Sequence, residues 1–439
     1  MSYLDSLKQK TVTVLGLGIS GLGTVRFLLQ HDIVPKVVDT RAVPPGADWL
    51  AHNAPDCEAV FGPLAEGALV DTDVIIISPG IPLYDRYVAE AIAHGAEVIG
   101  DVELFARLNS TPVVAVTGSN GKSTVVSLAD AVCQSAGLKV GLGGNIGTSV
   151  LELLERDLDV IILELSSFQL ETTDSLKCTS AMILNITEDH MDRYPDFDAY
   201  CAAKKRIYQQ TECLVYNRED EKTFLPHAHA VSVGLGNADY CLTDTPQGSF
   251  FSVYGQPTLA IDHLALSGKH NQFNALAVMA LLSPFKISIQ AFEDAFSSFT
   301  GLSHRCQLVA EVAGVKYFND SKATNVGATV SALESLNADA NKIILIVGGD
   351  AKGADVSPLG LPIQKYCRAI YCFGKDGALF SSMHTHSHLV TSLHEAVNGA
   401  SQLAQAGDIV LLAPACASID MYPNYMARGD EFCQLVEEL

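Results

Sequence analysis

Short apolar runs alternate with helix-like stretches along most of the chain. The clearest run covers residues 113–117, where β-branched residues dominate, and it passes directly into a glycine-containing turn that ends in Gly121-Lys122-Ser123. Beyond this turn, apolar residues recur at helical spacing from Val125 to Cys133, and Gly137 suits the position just after a helix end. The pattern predicts a strand, a glycine turn and a helix in immediate succession.

The same alternation continues through the rest of the chain. Further buried strands are expected at residues 11–15, 37–39, 73–78, 159–163, 181–186, 342–347, 369–373 and 409–412. Helices are expected at 22–30, 202–207 and 268–277. Residues 141–147 favour a flexible glycine turn, and residues 211–262 favour an irregular region with short β-like runs.

Strands that alternate with helices are typical of parallel sheets, so the expected fold class is α/β. A length of 439 residues suggests about three domains. We expect a Rossmann-like N-terminal domain at 1–100, a P-loop-type central mononucleotide-binding domain at 101–300 and a Rossmann-like C-terminal domain at 301–439.

Composition and charge exclude several classes of protein. The chain carries 28 Lys and Arg against 50 Asp and Glu, a formal net charge of −22. This sign is unsuited to coating nucleic acid or an anionic membrane, so a polyanionic ligand must be bound locally, by helix ends and a few placed cations. Eleven cysteines without a Cys-x-x-Cys pair indicate reduced thiols. With no signal-peptide pattern and no long apolar run, we expect a cytoplasmic protein.

The glycine turn at 118–123 carries the groups of a phosphate-binding loop. Its backbone N–H groups and the start of the next helix would point at an anion. Lys122 would reach the outer phosphates, and the hydroxyl of Ser123 or Thr124 would hold Mg²⁺. The turn is shorter than the usual Gly-x-x-x-x-Gly-Lys spacing, which would need glycine where Val116 stands. A plain glycine-rich turn is the alternative.

A second glycine pattern lies near the N-terminus. Gly16-Leu-Gly18-Ile-Ser-Gly21 follows a predicted strand, and Asp39 ends the next strand about 20 residues on. This arrangement is a dinucleotide-binding fingerprint, but the same tight turn and close approach to phosphate would bind any nucleotide diphosphate. An oxidoreductase that uses NAD is therefore one alternative.

Other polar residues fall where strands and helices end. Glu164 ends the strand predicted at 159–163 and suits a Mg²⁺ ligand. His190 is either a metal ligand or a surface histidine. Three adjacent cations, Lys204, Lys205 and Arg206, most often form a solvated helix face, whereas Asn271 and Asn274 suggest a polar ligand at a helix start.

Three motifs together resemble the Mur ligases, the ATP-dependent amide-forming enzymes of peptidoglycan precursor synthesis. They are Thr-Gly-Ser-Asn-Gly-Lys-Ser-Thr at 117–124, Asn-Ile-Thr-Glu-Asp-His at 185–190 and Asp-Ser-Lys-Ala-Thr-Asn at 320–325. The resemblance covers the whole chain in the same order. It is strongest to members that add D-glutamate, through Gly-Leu-Gly-Ile-Ser-Gly at 16–21, Ile-Ser-Pro-Gly-Ile-Pro at 77–82 and Leu-Ala-Pro-Ala-Cys-Ala-Ser-Ile-Asp at 412–420.

The resemblance implies a site for each substrate. For ATP it implies Gly118, Ser119, Asn120, Gly121, Lys122, Ser123, Thr124, Asn271, Asn274, Arg305 and Asp320. For the UDP part of the other substrate, held by the first domain in place of NAD, it implies Ile19, Ser20, Gly21, Asp39, Thr40, Arg41, Ser78 and Gly80, with Asn145 and Gln169 reaching in from the central domain. For D-glutamate it implies Lys322, Thr324, Lys352, Ser418 and Tyr425, where the family usually has Phe at the last position.

It also implies the catalytic groups and metals. The catalytic residues would be Lys122, Glu164, His190, Lys204 and Lys322. Two Mg²⁺ ions, for which Mn²⁺ can substitute, would be bound by Ser123, Thr124, Glu164, His190 and a carbamylated Lys204. The neighbouring Lys205 is the alternative site of carbamylation.

The implied reaction joins D-glutamate to UDP-N-acetylmuramoyl-L-alanine through an acyl phosphate and releases ADP. The implied protein is a cytoplasmic monomer with small-molecule partners only. A nucleotide-regulated binding protein without ligase chemistry and a sister ligase that adds another amino acid are the remaining alternatives.

Overall fold

The computed structural model describes residues 3–336 and 342–439, so Met1 and Ser2 of the N-terminus considered above lie outside the described residues. Within the described residues the chain forms three separate sheets flanked by helices. The central strands are apolar and buried on both faces, as parallel sheets between helix layers require. The predicted α/β class is confirmed, while the exact domain limits stay a prediction.

The first sheet is parallel, in the order β3-β2-β1-β4-β5. Its strands are β1 (Val12–Leu15), β2 (Lys36–Asp39), β3 (Ala59–Phe61), β4 (Val74–Ile77) and β5 (Glu97–Gly100). Its helices are α1 (Tyr3–Leu7), α2 (Ile19–Gln30), α3 (Ala47–Asn53), α4 (Arg86–Ala93) and α5 (Asp101–Leu108). Because β1 pairs with β4, the glycine turn before α2 lies beside the turn at 79–82.

The second sheet has the order β14-β13-β12-β11-β10-β9-β6-β8-β7. Its strands are β6 (Val113–Thr117), β7 (Val140–Gly144), β8 (Val160–Glu164), β9 (Lys177–Ile183), β10 (Gln210–Asn217), β11 (Ala230–Val233), β12 (Tyr240–Thr245), β13 (Gly248–Val253) and β14 (Gln256–Ala260). Its helices are α6 (Lys122–Ser135), α7 (Val150–Leu153), α8 (Ser167–Glu171), α9 (Phe197–Lys205), α10 (Lys269–Leu281) and α11 (Ile289–Ser298).

The third sheet has the order β15-β16-β20-β17-β18-β19. Its strands are β15 (Gln307–Val312), β16 (Val315–Asn319), β17 (Ile343–Gly348), β18 (Cys367–Phe373), β19 (Ser387–Leu389) and β20 (Ile409–Leu412). Its helices are α12 (Val326–Ser335), α13 (Gly360–Tyr366), α14 (Leu393–Leu403) and α15 (Tyr425–Glu437). The antiparallel hairpin of β15 and β16 at one edge was not expected from the sequence.

Two expectations for the central region are wrong. Residues 141–147 do not form a flexible turn throughout, because Val140–Gly144 pairs along its length with β8 as an edge strand. Residues 211–262 are not irregular, because β10 to β14 extend the sheet, with β12 to β14 antiparallel.

One predicted strand is displaced. The strand expected at 181–186 runs instead from Lys177 to Ile183, so residues 184–186 belong to the loop at its carboxyl end. Asn185 therefore lies outside the strand, and its side chain is hydrogen-bonded to Asn120 of the phosphate loop.

A cleft of about 1990 Å³ opens where elements of all three sheets approach one another. Gly80 reaches it from the first sheet, Lys122 and Glu164 from the second, and Lys322 and Lys352 from the third. Residues at the carboxyl ends of β4, β6, β8, β9, β16, β17 and β20 line this cleft, and such ends are where open α/β sheets bind ligands.

Two simpler expectations can be checked on the same residues. Across 3–336 and 342–439, no helix combines the length and apolar character that crossing a membrane requires. Every cysteine there carries a free thiol, as expected for reduced cysteines.

Candidate active site

The turn between β6 and α6 is held by backbone contacts to the loop after β9. The Ser119 N–H donates to the Asn185 carbonyl at 2.9 Å, and the Asn120 N–H donates to Asn185 Oδ1 at 2.9 Å. Gly121 lies just before α6 with φ +87°, a conformation that L side chains rarely adopt, so glycine is required there. The geometry is that of an anion-binding loop at a helix start.

Two lysines converge on this loop from different helices. Lys122 Nζ donates to the carbonyl oxygens of Gly118 at 2.7 Å and Ser119 at 2.9 Å. Lys204 Nζ donates to the same Gly118 oxygen at 2.9 Å and lies 4.6 Å from the centre of the Tyr200 ring. Burial lowers the pKa of Lys122, and burial together with the Lys122 charge holds the pKa of Lys204 well below its usual range.

The expectation that residues 204–206 form a solvated cationic face is therefore wrong for Lys204. Its side chain is 2 % exposed and points into the cleft, whereas Lys205 is only half-buried and does not line the cleft. The neighbouring Tyr200 hydroxyl, which lies 3.1 Å from Ser119 Oγ, closes this side of the loop.

Glu164, the last residue of β8, accepts hydrogen bonds from a hydroxyl and from a side-chain amide. Ser123 Oγ donates to Glu164 Oε2, and Asn145 Nδ2 donates to Oε1 at 2.8 Å. Arg305, from the region of the third sheet, donates through Nη2 to Ser123 Oγ at 2.5 Å. A buried carboxylate beside a hydroxyl is the oxygen chemistry that Mg²⁺ prefers.

His190 and Asp189, in the loop after β9, also line the cleft. Burial lowers the pKa of His190 to about 4, so its imidazole is neutral near pH 7, the form that binds metals. Asp189 accepts Lys352 Nζ at 2.5 Å and Asn325 Nδ2 at 3.3 Å. Burial would raise the pKa of Asp189, but the surrounding charges, that of Lys352 foremost, and the hydrogen bond from Lys352 together outweigh burial, and the pKa is lowered.

No cluster of three or more His, Cys, Asp or Glu side chains suited to a metal occurs in the part of the chain that the structure describes.

The third sheet supplies the cations of the predicted amino-acid pocket. Lys322 Nζ lies 4.2 Å from the centre of the Tyr425 ring, and burial, with the charges of Arg305 and Lys122, lowers the Lys322 pKa to about 8. The other residues predicted for this pocket line the same cleft: Thr324, Lys352, Ser418 and Tyr425.

Arg428 organises this pocket and was missed by the sequence analysis. Its guanidinium is fully buried and donates to Ser321 Oγ at 3.0 Å, to the Ser321 carbonyl at 2.8 Å and to the Cys416 carbonyl at 3.1 Å. It therefore ties the loops after β16 and β20 together. Its position within helix α15 gave no local signal.

The residues predicted to hold the base and ribose of ATP also line the cleft. Asn274 Nδ2 donates to Asn271 Oδ1 at 3.2 Å, and an added Cβ at Gly121 would lie 3.2 Å from Asn274 Oδ1. Asp320 accepts the Cys306 N–H at 3.2 Å, and burial raises its pKa to about 6.

Most of the residues predicted for the UDP part lie at the first sheet. Asp39 accepts the Leu17 N–H at 2.7 Å and is paired with Arg41 at 2.6 Å. Burial would raise the Asp39 pKa, but hydrogen bonds from Arg41 and Leu17 outweigh it, and the pKa is lowered. Ile19, the first residue of α2, is 90 % exposed.

Two members of this UDP set, Gly80 and Asn145, line the main cleft, and the others do not. Those outside it are Ile19, Ser20, Gly21, Asp39, Thr40, Arg41, Ser78 and Gln169. Gln169 is buried and forms a capping box with Ser166 at the start of α8.

A phosphate loop faced by lysines, with an oxygen-lined pocket at the junction of three α/β units, defines a nucleotide-dependent ligase. Family models agree: the Mur ligase MurD-like N-terminal domain matches residues 10–100, the Mur ligase middle domain matches 116–282, and the Mur ligase glutamate ligase domain matches 304–416. The chain belongs to the Mur ligase family, the ATP-dependent ligases of peptidoglycan precursor synthesis.

Individual relatives agree with this assignment. The chain is 54 % identical over 441 residues to the UDP-N-acetylmuramoylalanine–D-glutamate ligase of Pseudoalteromonas translucida, and the alignment covers 99 % of each chain. It is 43 % identical to the protein of the same name from Haemophilus influenzae, again over 99 % of each.

Solved structures share the fold. A UDP-N-acetylmuramate-alanine ligase from Thermotoga maritima has a TM-score of 0.62 at 16 % identity, covering 98 % of this chain and 99 % of the other. The MurF ligase of the same organism in complex with ADP has a TM-score of 0.62 at 15 % identity, covering 100 % and 96 %. Family membership sets aside both the NAD-linked oxidoreductase and the binding protein without ligase chemistry.

Proposed function

We propose that this ligase joins D-glutamate to UDP-N-acetylmuramoyl-L-alanine, with ATP cleaved to ADP and phosphate. The observation that carries the proposal is the convergence of Lys122, Arg305, Lys322 and Lys352 on one cleft in a chain of net charge −22. The name shared by relatives up to 54 % identical supports the choice of substrates.

The first step must bring two anions together. A carboxylate oxygen of the UDP substrate attacks the γ-phosphorus of ATP, the bond from that phosphorus to the bridging oxygen breaks, and ADP leaves. Positioning and charge neutralisation supply most of the catalysis in such transfers. Lys122 leaves the Gly118 and Ser119 carbonyls for the outer phosphates, and Arg305 turns from Ser123 to a phosphate oxygen.

The remaining ATP contacts follow from the residues around the loop. Backbone N–H groups of the loop 118–121 and the start of α6 hold the phosphates. Asn271 and Asn274 lie at the start of α10 beside the loop and would bind the base, while Asp320 would accept a ribose hydroxyl.

The residues present fit Mg²⁺. The buried Glu164 carboxylate and Ser123 hydroxyl, with Thr124 beside them, would hold one ion, and the neutral His190 with a Lys204 carbamate would hold another; Mn²⁺ would suit the same ligands. When bound, the ions would neutralise phosphate and carboxylate charge.

Lys204 suits carbamylation better than Lys205 does. Carbamylation needs a neutral amine, and the low pKa of the buried Lys204 provides one. The product is a carboxylate-like group directed at the loop, which converts a cation into an oxygen ligand.

The second step forms the amide. The D-glutamate amine attacks the acyl carbon, the bond to the phosphate oxygen breaks, and phosphate leaves as the amine loses a proton. Lys322, Lys352 and the hydroxyls of Thr324 and Ser418 would hold the two carboxylates of the amino acid, with backbone contacts at Tyr425. Closure of the third domain over the second would exclude water from the acyl phosphate.

In this proposal each of the three domains binds one substrate. The first (1–100) would bind the UDP part, the second (101–300) ATP, and the third (301–439) D-glutamate. The enzyme would act as a cytoplasmic monomer on small molecules.

Phosphate release tests the proposal. The purified protein is incubated with ATP, Mg²⁺ and UDP-N-acetylmuramoyl-L-alanine, with D-glutamate, L-glutamate, L-alanine or diaminopimelate supplied in turn. We expect phosphate release that depends on D-glutamate and on the UDP substrate. Release driven by another amino acid would identify a sister ligase and overturn the choice of D-glutamate.

A further inference from the structure

Arg193 spans the boundary between the first and second sheets. Its side chain, 10 % exposed, donates through Nη1 to the Gly80 carbonyl at 3.3 Å and through Nη2 to the Ile81 carbonyl at 3.4 Å. Nη2 also pairs with Glu171 Oε2, at the end of α8, at 2.9 Å. One guanidinium therefore holds the turn after β4 against the second sheet.

The first sheet also holds the backbone of Arg193. The Tyr84 hydroxyl donates to the Arg193 carbonyl at 3.3 Å, and the guanidinium lies 6.0 Å from the Tyr84 ring centre. Residues 80–84 thus contact both the side chain and the main chain of a single residue.

The same arginine contacts the segment that carries His190. Its guanidinium lies 4.7 Å from the centre of the Phe168 ring, and Phe168 packs edge-on against the His190 ring at 4.8 Å. The Arg193 N–H donates to the His190 carbonyl at 2.9 Å. The position of the His190 ring thus depends on the group that holds Gly80.

We propose that Arg193 is a positioning residue of the ligase reaction, coupling the turn at 79–82 to the His190 segment. The proposal rests on the function proposed above. Ordering this turn around the UDP substrate would fix Arg193, Phe168 and His190 in turn. The substrate carboxylate and the group expected to hold a metal would then be aligned together.

Arginine is required for this role. A planar guanidinium can stack on Phe168 while donating to two carbonyls and a carboxylate, whereas a lysine ammonium lacks the planar face and the forked donors. Arg193→Lys keeps the charge and loses this geometry, so it separates positioning from electrostatics.

The test compares Arg193→Lys and Arg193→Met with the unaltered enzyme. We expect the KM for UDP-N-acetylmuramoyl-L-alanine to rise at least tenfold in both variants, and the Mg²⁺ concentration for half-maximal rate to rise as well. The KM for D-glutamate should stay within twofold, because its predicted pocket lies on the third sheet.

Two further variants control for loosening of the structure. Arg107→Met removes an arginine that binds Tyr3, Glu97 and Glu103, none of which lines the cleft, and it should leave the KM for the UDP substrate within twofold. Tyr84→Phe removes one hydroxyl without changing shape, and it should raise that KM two- to fivefold.

Unchanged KM for the UDP substrate in Arg193→Lys would overturn the proposal, and so would equal rises for all three substrates. Calorimetric binding of the UDP substrate in the absence of ATP tests the coupling without turnover. If the unaltered enzyme binds this substrate but forms no amide with D-glutamate, the proposed function fails separately, and weaker binding by Arg193→Lys would still support the coupling.

Discussion

Lys122 donates to the carbonyls of its own loop, at Gly118 and Ser119, and these contacts must give way when phosphates arrive. Replacing it with alanine leaves the loop N–H groups but removes the cation that, in the proposed mechanism, would face the transferred phosphate. We expect Lys122→Ala to lower the rate of ADP release that depends on the UDP substrate by about 100- to 1000-fold. Near-normal turnover in a coupled ADP assay would remove the phosphate loop from the mechanism.

Lys204 and Lys205 form a matched pair of adjacent lysines, one buried and one half-buried. We expect Lys204→Ala to lose activity that added bicarbonate or a small carboxylate such as acetate partly restores, because a free carboxylate can occupy the place of the carbamate. Lys205→Ala should keep its rate within about twofold, as surface substitutions usually do. A fully active Lys204→Ala would refute the carbamate, and loss only in Lys205→Ala would move it by one residue.

His190 gives the folded protein a defined pH response. Its pKa is about 4 in the folded chain, against an ordinary value of 6.5. Between these values the unfolded chain binds a proton that the folded chain does not, so the free energy of unfolding falls as the pH drops from about 6.5 to 4.

Urea unfolding at several pH values checks this response. His190→Asn removes the titrating group, so its free energy of unfolding should fall less steeply over this window than that of the unaltered protein. Parallel curves for the two proteins would contradict the pKa assigned to His190.

Strand β7 can approach β8 closely because Gly144 has no side chain. Gly144 has φ +101°, and a Cβ there would lie 2.2 Å from the Glu164 carbonyl oxygen. Gly95 has a similar φ of +99° with no atom within 4 Å of an added Cβ. Both alanine variants pay about 1–2 kcal/mol for the backbone conformation.

Only Gly144→Ala must also displace backbone, so we expect it to lose a further ~1–3 kcal/mol in urea unfolding and to lower activity by moving Glu164. Gly95→Ala is the control for the strain of a positive φ alone. If both variants lost the same free energy of unfolding, the close approach of β7 to β8 would contribute nothing to the cost of Gly144→Ala.

The elements predictable from sequence are those whose burial is uniform. β4, β6, β8 and β17 are buried along their length and apolar except for Thr117 and Glu164 at two of their ends, and such runs predict buried parallel strands. β7 contains three glycines, so its strand conformation comes from the ladder that β8 offers and not from its own propensity.

Strands β12 to β14, which were expected only as short β-like runs in an irregular region, have weak sequence signals for a related reason. β14 is mostly exposed, and β12 and β13 alternate only partly between buried and exposed positions, so their periodicity is weak. Antiparallel pairing through short turns stabilises them in place of a buried apolar run.

The candidate site likewise has parts that the sequence predicts and parts that it does not. The phosphate loop could be predicted because its residues are contiguous and each type has a local physical purpose. Contacts between residues distant in sequence, such as Arg305 with Ser123 and Asn325 with Asn120, depend on how the sheets pack and leave no local pattern. Asp189 adjoins a predicted residue, yet its pairing with Lys352 could not be read from the chain.

Across the whole molecule, polar contacts join the second and third sheets at the cleft. Arg305, Asn325 and Lys352 reach from the third sheet to Ser123, Asn120 and Asp189 on the second. These contacts join the second and third sheets beside the phosphate loop, where the proposed acyl phosphate would need protection from water. The substrates must displace several of these contacts, so substrate binding is linked to how the second and third sheets are held together.

Transfer of oxygen tests the central claim most directly. UDP-N-acetylmuramoyl-L-alanine labelled with ¹⁸O in both oxygens of its free carboxylate is converted in the presence of ATP, Mg²⁺ and D-glutamate, and the released phosphate is examined by mass spectrometry. If the carboxylate attacks the γ-phosphorus, each phosphate carries one ¹⁸O and the amide carbonyl keeps the other. Phosphate without label, formed together with the amide, would contradict the acyl-phosphate mechanism.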